Sequence, residues 1–285
     1  MRPGGAGLWQ IGVMAIKPLT STAVDQVVER LGFAERPAAD IAGLHAVYSA
    51  WCRRVPFDNL RKLVALHFDM PELPGIHPDD FFAAWQLIGA GATCWGSNNA
   101  IHALLVGLGF DARLHAASMF DGDVNHATTI VVLGGEEWMV DTALHGDVPV
   151  PIRSAPHGIG HAGFVTPVRS DDRGWLFDCH TVEPGVLIPC RIHQEMDHDF
   201  TLVAYEKSRG WSPFNDVITV GINDEDHIWS LRGNVLAGMS ESGTSHRELT
   251  DVEVDEWMIE VSGHSPQLVA EVRAILDFRA ESPGS

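Results

Sequence analysis

The chain has 285 residues, 45% of them hydrophobic and 8% aromatic, which is enough to bury a sizeable core in one elaborated domain or two. Its 38 acidic side chains against 19 basic ones give a formal charge of −19. That field repels polyphosphate and excludes nucleic acid and an anionic membrane surface as partners, while leaving room for one small anion held by backbone N–H groups.

Near the start, LWQIGVMAI resembles the apolar part of a signal peptide, but Gln10 and Gly12 interrupt it and no small-residue cleavage site follows, so a cytoplasmic protein is expected. Thr22-Ala23-Val24-Asp25 resembles a capping box, and Val24, Val27, Val28 and Leu31 then keep helical spacing up to Gly32. A second helix is predicted from about Asp40 to the Val55-Pro56 step, where the residue before proline leaves the helical region. A third, from Asp79 to about Leu87, carries Phe81, Phe82 and Trp85 and ends at Gly89. From Ser97, the spacing of Ile101, Leu104, Leu105 and Leu108 predicts a fourth, closed by Gly109.

Beyond Phe110 the period changes to two, and a hairpin follows: HATTIVVL, a Gly134-Gly135 turn, then EEWMVDTAL. Residues 147 to 168, rich in Pro, Gly and His, read as an irregular crossing. GVLIPCRI, DFTLVAYE and DVITVGI are further strand candidates, and Asp255 to Phe278 is helical again. No repeat, heptad array, low-complexity tract or membrane span is evident.

Among the four cysteines, Cys52, Cys94, Cys179 and Cys190, no CxxC or framework spacing occurs, which predicts reduced thiols. Cys94, in GATCWGSN, stands just ahead of a predicted helix, where unpaired N–H groups and the helix dipole favour a thiolate; a small buried core residue fits the same local context. The hairpin adds two groups. With a two-residue turn, paired residues sum to 269, which places Asp141 opposite Thr128 and diagonal to His126 on one sheet face. A one-residue slip would separate them. In register, Cys94, His126 and Asp141 form a relay of nucleophile, general acid/base and orienting carboxylate; the alternative is an ordinary surface His–Asp pair.

VPFDNL at 55 to 60, GATCWGSN, LLVGLGFDARLHAA and NHATTIVVLGGEEWMVDTALHG together resemble the arylamine N-acetyltransferase family, in order, over roughly residues 25 to 150. The family pattern is a Pro-Phe-Glu-Asn motif, then R-G-G-x-C-x-E-x-N, then a His on one strand and an Asp on the next. The resemblance makes Cys94 the acyl-accepting nucleophile, His126 its base and Asp141 the orienting carboxylate, with Phe57, Trp95 and Asn98 expected beside the substrate. It implies an α+β fold: a helical domain (20–93), a central antiparallel β-barrel domain (94–205) and a C-terminal α/β lid (206–285), around a cysteine-protease-like Cys-His-Asp core. It also implies ping-pong transfer from an acyl-CoA or acyl-carrier thioester to a small-molecule amine, with no permanently bound cofactor. An acyl carrier protein is a further expected partner. Related readings are a biosynthetic amide synthase, a non-catalytic binding protein of the same fold, and a thiol hydrolase.

The chain departs from the pattern at three places. Ala90-Gly91-Ala92 replaces Arg-Gly-Gly, Gly96 replaces the glutamate after the cysteine, and Asp58 shortens the motif's glutamate. Without the arginine, Asp58 is expected to find a donor among Arg53, Arg54 and Arg61. The lost charges predict a roomier, less polar entrance that favours acyl groups longer than acetyl, unless Trp95 fills the space. No metal site is expected: in the crossing with His145, His157, His161 and His180, HGIGH is too glycine-rich to present ligands from a helix. His193 and His198 read as solvated loop residues, and Trp175, Phe177, Trp211 and Phe214 as core or interface.

Overall fold

The computed structural model describes residues 18–153, 166–181, 183 and 186–281. His157 and His161, where no metal site is expected, lie outside them. Helix α1 (Ser21–Arg30) is capped by Thr20, whose side chain accepts from Ala23 N, two residues before the expected cap. Helix α2 (Ile41–Arg54) begins where Asp40 accepts from Gly43 N at 2.8 Å and ends as Val55 turns extended ahead of Pro56. A two-residue strand β1 (Phe57–Asp58) leads into α3 (Leu60–His67), a short helix that apolar spacing did not reveal. Helix α4 (Pro78–Ile88) closes on Gly89 in the left-handed region (φ 71°). Helix α5 (Cys94–Gly107) starts three residues earlier than expected.

Strands β2 (Asp111–Met119), β3 (His126–Leu133) and β4 (Glu136–Val140) form the predicted meander, and Leu133 pairs with Glu136 as the two-residue turn requires. With β5 (Val150–Pro151), β6 (Val168–Asp171), β7 (Gly174–His180) and β8 (Leu187–Glu195) they make one antiparallel sheet ordered β5-β4-β3-β2-β8-β7-β6. Among the described residues the sheet curls but does not close, so the expected barrel is a half-barrel. Its edge strands, two and four residues long, offer too few backbone groups to pair across the gap.

The stretch DFTLVAYE, expected as a strand, is helix α6 (His198–Lys207). Asp197 caps it by accepting from Phe200 N at 2.8 Å, and Thr201 and Tyr205, four apart, form its buried stripe. Its β-branched residues favour a strand locally; the cap and the buried Tyr205 override that preference. Beyond it, β9 (Thr219–Asn223), β10 (Ile228–Arg232), β11 (Val235–Ser240) and β12 (Gly243–Glu248) form a second sheet, with β1 of the N-terminal region added to the β9 edge. The C-terminal helical stretch is two helices, α7 (Asp251–Glu260) and α8 (Pro266–Glu281), parted at Gly263 (φ 78°).

Apolar clusters join these parts. Helices α1, α2, α4 and α5 share one core, in which Trp51 stacks on Phe81 at 5.6 Å. Helix α3, strands β9 to β11 and helices α7 and α8 share a second. A third contains Cys94 with Phe57, Trp95 and Tyr205.

Candidate active site

Cys94 is the first residue of α5, with Thr93 in extended conformation before it. His126 opens β3 and Asp141 follows the last residue of β4, so the hairpin register sets their separation. His126 Nε2 lies 2.7 Å from Asp141 Oδ2, and both residues are buried. Cys94 is near enough to His126 to interact with it electrostatically. Burial opposes an imidazolium, but the Asp141 carboxylate and the Cys94 sulfur outweigh it and hold His126 well above the ordinary histidine range. Burial would likewise raise Asp141; His126 and the Ala143 N–H, 3.0 Å from Oδ1, overcome this and hold the carboxyl below its usual range.

The surrounding residues fix this geometry. Tyr48 of α2 donates to the Asp141 carbonyl at 2.6 Å, and Ser97 of α5 is 2.7 Å from the Thr142 hydroxyl. Asn98, expected beside the substrate, spends its amide within the protein: Nδ2 donates to Ala127 O at 2.7 Å and to Cys94 O at 3.2 Å, and Oδ1 accepts from Thr142 N at 3.3 Å. It locks α5 onto the hairpin. Phe57 and Trp95 are buried in the Cys94 cluster, and Phe214 packs on Phe57 with ring centroids 5.3 Å apart.

Sequence reasoning missed Lys62. It is buried, donates to Ser208 Oγ at 2.9 Å and lies 5.6 Å from the Tyr205 ring centroid. Burial lowers its pKa to about 8, and the nearby Cys94 pulls it back up. The one signal was a lysine beside Arg61 at the head of the apolar run LVAL.

Cys190 stands behind the relay, with its sulfur, a His126 nitrogen and an Asp141 oxygen all within 4.8 Å of one another. Its contact with Cys179 and its burial push the Cys190 thiol up. His145 is buried and its pKa pushed down to about 4. His193, on β8, pairs with Ser118 Oγ at 2.9 Å, and His198 is the half-buried first residue of α6; neither is a solvated loop residue. Phe177 is core, whereas Trp211 is half exposed.

A groove of about 670 Å³ runs between α6 and the β2–β3 turn. Val124, Phe200, Val203, Ala204 and Trp211 form its apolar walls, with Asp123, Asp197, Asp199 and Lys207 beside them. Val124 and Ala204 also pack against the Cys94 cluster.

A cysteine on a helix start, a buried His–Asp pair and a helical region ahead of a curled antiparallel sheet match an existing pattern. The N-acetyltransferase family model matches residues 40–262. The chain belongs to this family. The arylamine N-acetyltransferase of Mycobacterium smegmatis is 19% identical, with 88% of this chain and 97% of that one superposed at a TM-score of 0.74. That of Mycobacterium marinum in complex with CoA is 16% identical, with 90% and 98% superposed at 0.76. Proansamycin X synthase of Amycolatopsis mediterranei is 26% identical over 140 residues, 47% of this chain; the chain spans about half (53%) of that relative's length.

Within the N-acetyltransferase family pattern, the three departures around Cys94 do not open an entrance. Ala90 is fully buried in the core of α3, β9 and α7. A Cβ on Gly96 would overlap the Gly75 carbonyl and Ala92, so the chain itself fills the glutamate's place. Trp95 is 2% exposed. The expected arginine donors to Asp58 are committed elsewhere: Arg53 pairs with Asp147 at 2.9 Å, Arg61 with Asp80 at 2.7 Å, and the Arg54 guanidinium packs over Gly32. Asp58 instead meets His264, whose Nε2 is 3.1 Å from Oδ2.

Proposed function

We propose that the protein is an acyltransferase that carries an acyl group from a thioester, through a Cys94 thioester, to an amine. The observation that carries this reading is the buried His126–Asp141 pair with Cys94 close by, on the first turn of α5. In the first half-reaction the Cys94 proton moves to His126 and the sulfur attacks the donor carbonyl. The tetrahedral intermediate collapses with the donor thiol as leaving group, which takes the proton back from His126. In the second, the amine attacks the Cys94 thioester, His126 accepts a proton from it, and the amide leaves as Cys94 recovers its hydrogen. Asp141 holds the imidazole orientation and offsets its charge throughout.

CoA is the first donor to consider, because the Mycobacterium marinum relative is described in complex with CoA. The apolar groove beside the Cys94 cluster, with carboxylates at its side, suits an aromatic or alkyl amine acceptor. In this reading residues 20–93 form a helical unit, 94–205 the sheet unit carrying the relay, and 206–285 an α/β lid. The protein works in the cytoplasm, consistent with four free cysteines; among the described residues no helix is long and apolar enough to cross a membrane. The test is steady-state kinetics with acetyl-CoA and an arylamine. Parallel double-reciprocal lines are expected, and intersecting lines, which require both substrates bound together, would overturn the ping-pong scheme.

The likeness to a synthase supports a second reading, a biosynthetic amide synthase that draws its acyl group from a carrier-protein thioester. Faster acylation from a carrier-bound acyl group than from the same group on CoA favours it.

A further inference from the structure

Outside the relay, the described residues hold a second buried chain of polar side chains, and it ends on the loop that carries Cys94. His264 is fully buried between α7 and α8. Gly263, at φ 78°, makes the sharp turn there, and Ser265 N donates to the Ile88 carbonyl at 2.9 Å, fastening this connection to the end of α4. Ser262 Oγ is 2.8 Å from His264 Nδ1 and 2.9 Å from Met258 O, which fixes the ring from behind. From the front, His264 Nε2 meets Asp58 Oδ2 at 3.1 Å.

Asp58 passes this order on. The same Oδ2 accepts from Gly91 N at 2.5 Å, Oδ1 accepts from Leu60 N at 3.0 Å, and Asp58 N donates to Ala92 O at 3.3 Å. Residues 91 and 92 are thus gripped three and two residues before the nucleophile. Gly91 has no space for a side chain, since a Cβ would overlap the Pro56 carbonyl. A 1 Å error in the height of this loop is an error in the Cys94–His126 distance.

We infer that His264 is a positioning residue for the nucleophile: by orienting Asp58 it sets the 90–94 loop, and with it the alignment of Cys94 on His126. This rests on the acyl-transfer reading for its purpose but not for its test. A buried carboxylate with a polar partner also arises for stability alone, and the two roles differ in which ring nitrogen matters. Glutamine places an amide near Nε2 and can still engage Asp58; asparagine places one near Nδ1, reaching Ser262 but not Asp58.

The experiment compares wild type, His264→Gln and His264→Asn by the rate of Cys94 alkylation with iodoacetamide, by acylation from acetyl-CoA, and by thermal melting. With Gln, both rates stay within about twofold of wild type; with Asn, they fall roughly tenfold or more at unchanged KM for the donor, since small misplacements at the reacting centre are costly. Equal rates in the Asn and Gln variants overturn the inference. Should the Asn variant not fold, the near-isosteric Asp58→Asn decides: it leaves one oxygen where Leu60 N and Gly91 N use two, which lowers both rates, and wild-type rates contradict the inference. If wild type takes no acyl group, the acyl-transfer reading fails while alkylation still decides the role of His264.

Discussion

The Asp141 carboxylate accepts from His126 and from Ala143 N, and the residue's backbone carbonyl accepts from Tyr48, so it is held from three sides. Asp141→Asn leaves these shapes in place but lets the amide stabilise the opposite imidazole tautomer, with no charge to balance an imidazolium. The expected result is a folded protein whose acylation rate falls at least about a hundredfold, measured by single-turnover kinetics; wild-type turnover would remove the carboxylate from the relay. The four thiols should also separate. Burial pushes Cys52 far up, and burial with the Cys179 contact does the same to Cys190, whereas Cys94 has His126 to take its proton. Peptide mapping after limiting iodoacetamide should find Cys94 labelled first, and faster labelling of Cys52, Cys179 or Cys190 would contradict this.

Among the elements, the β3–β4 hairpin was the most legible in the sequence, because a two-residue glycine turn and a period of two leave one register. That register alone brought His126 to Asp141. Helix α6 was not legible: Thr201, Val203 and Tyr205 alternate as in a strand, and the deciding contacts, the Asp197 cap and Tyr205 to Pro74 O at 3.1 Å, are tertiary or single-residue signals. Nor could local pattern find the partner of Asp58, which lies 206 residues away in a turn between two helices. The space around Cys94 was misjudged for a related reason, since a missing side chain in a sequence does not show what backbone replaces it. Restoring bulk there tests the packing. Gly96→Ala should lower stability by about 1–3 kcal/mol by overpacking against Gly75 and Ala92, seen as a reduced Tm. An unchanged Tm would mean that the loop around Gly75 yields freely.

For the molecule as a whole, helix α5 and the hairpin, which carry Cys94, His126 and Asp141, are tied to the second sheet by buried contacts, and His145 is one of the pins. Its ring lies edge-on to Phe57, with centroids 6.4 Å apart, against Gly221 of β9, and its carbonyl accepts from Asn223 at 2.9 Å. Burial depresses its pKa from 6.5 to about 4, so folding favours the neutral ring. Its contribution is fully present above pH 6.5 and is lost as pH falls from 6.5 towards 4, by about 3 kcal/mol in all. His126 has the opposite sign: raised in the folded state, it stabilises fully below pH 6.5, with the loss occurring at higher pH up to its folded value. His145→Asn, which tolerates the left-handed backbone there (φ 49°), should flatten the acid side of the stability profile in urea titrations at pH 7 and pH 5. A profile as steep as wild type would place the acid sensitivity elsewhere.

The central claim is that an acyl group passes through the sulfur of Cys94, and intact-mass spectrometry of the protein after brief exposure to acetyl-CoA, repeated with a carrier-bound acyl thioester, tests it most directly. The account predicts a single acyl adduct from at least one donor. It should map to the peptide containing Cys94, be absent from Cys94→Ala and be discharged by added amine. An unmodified mass with every donor, or an adduct that survives in Cys94→Ala, would contradict it.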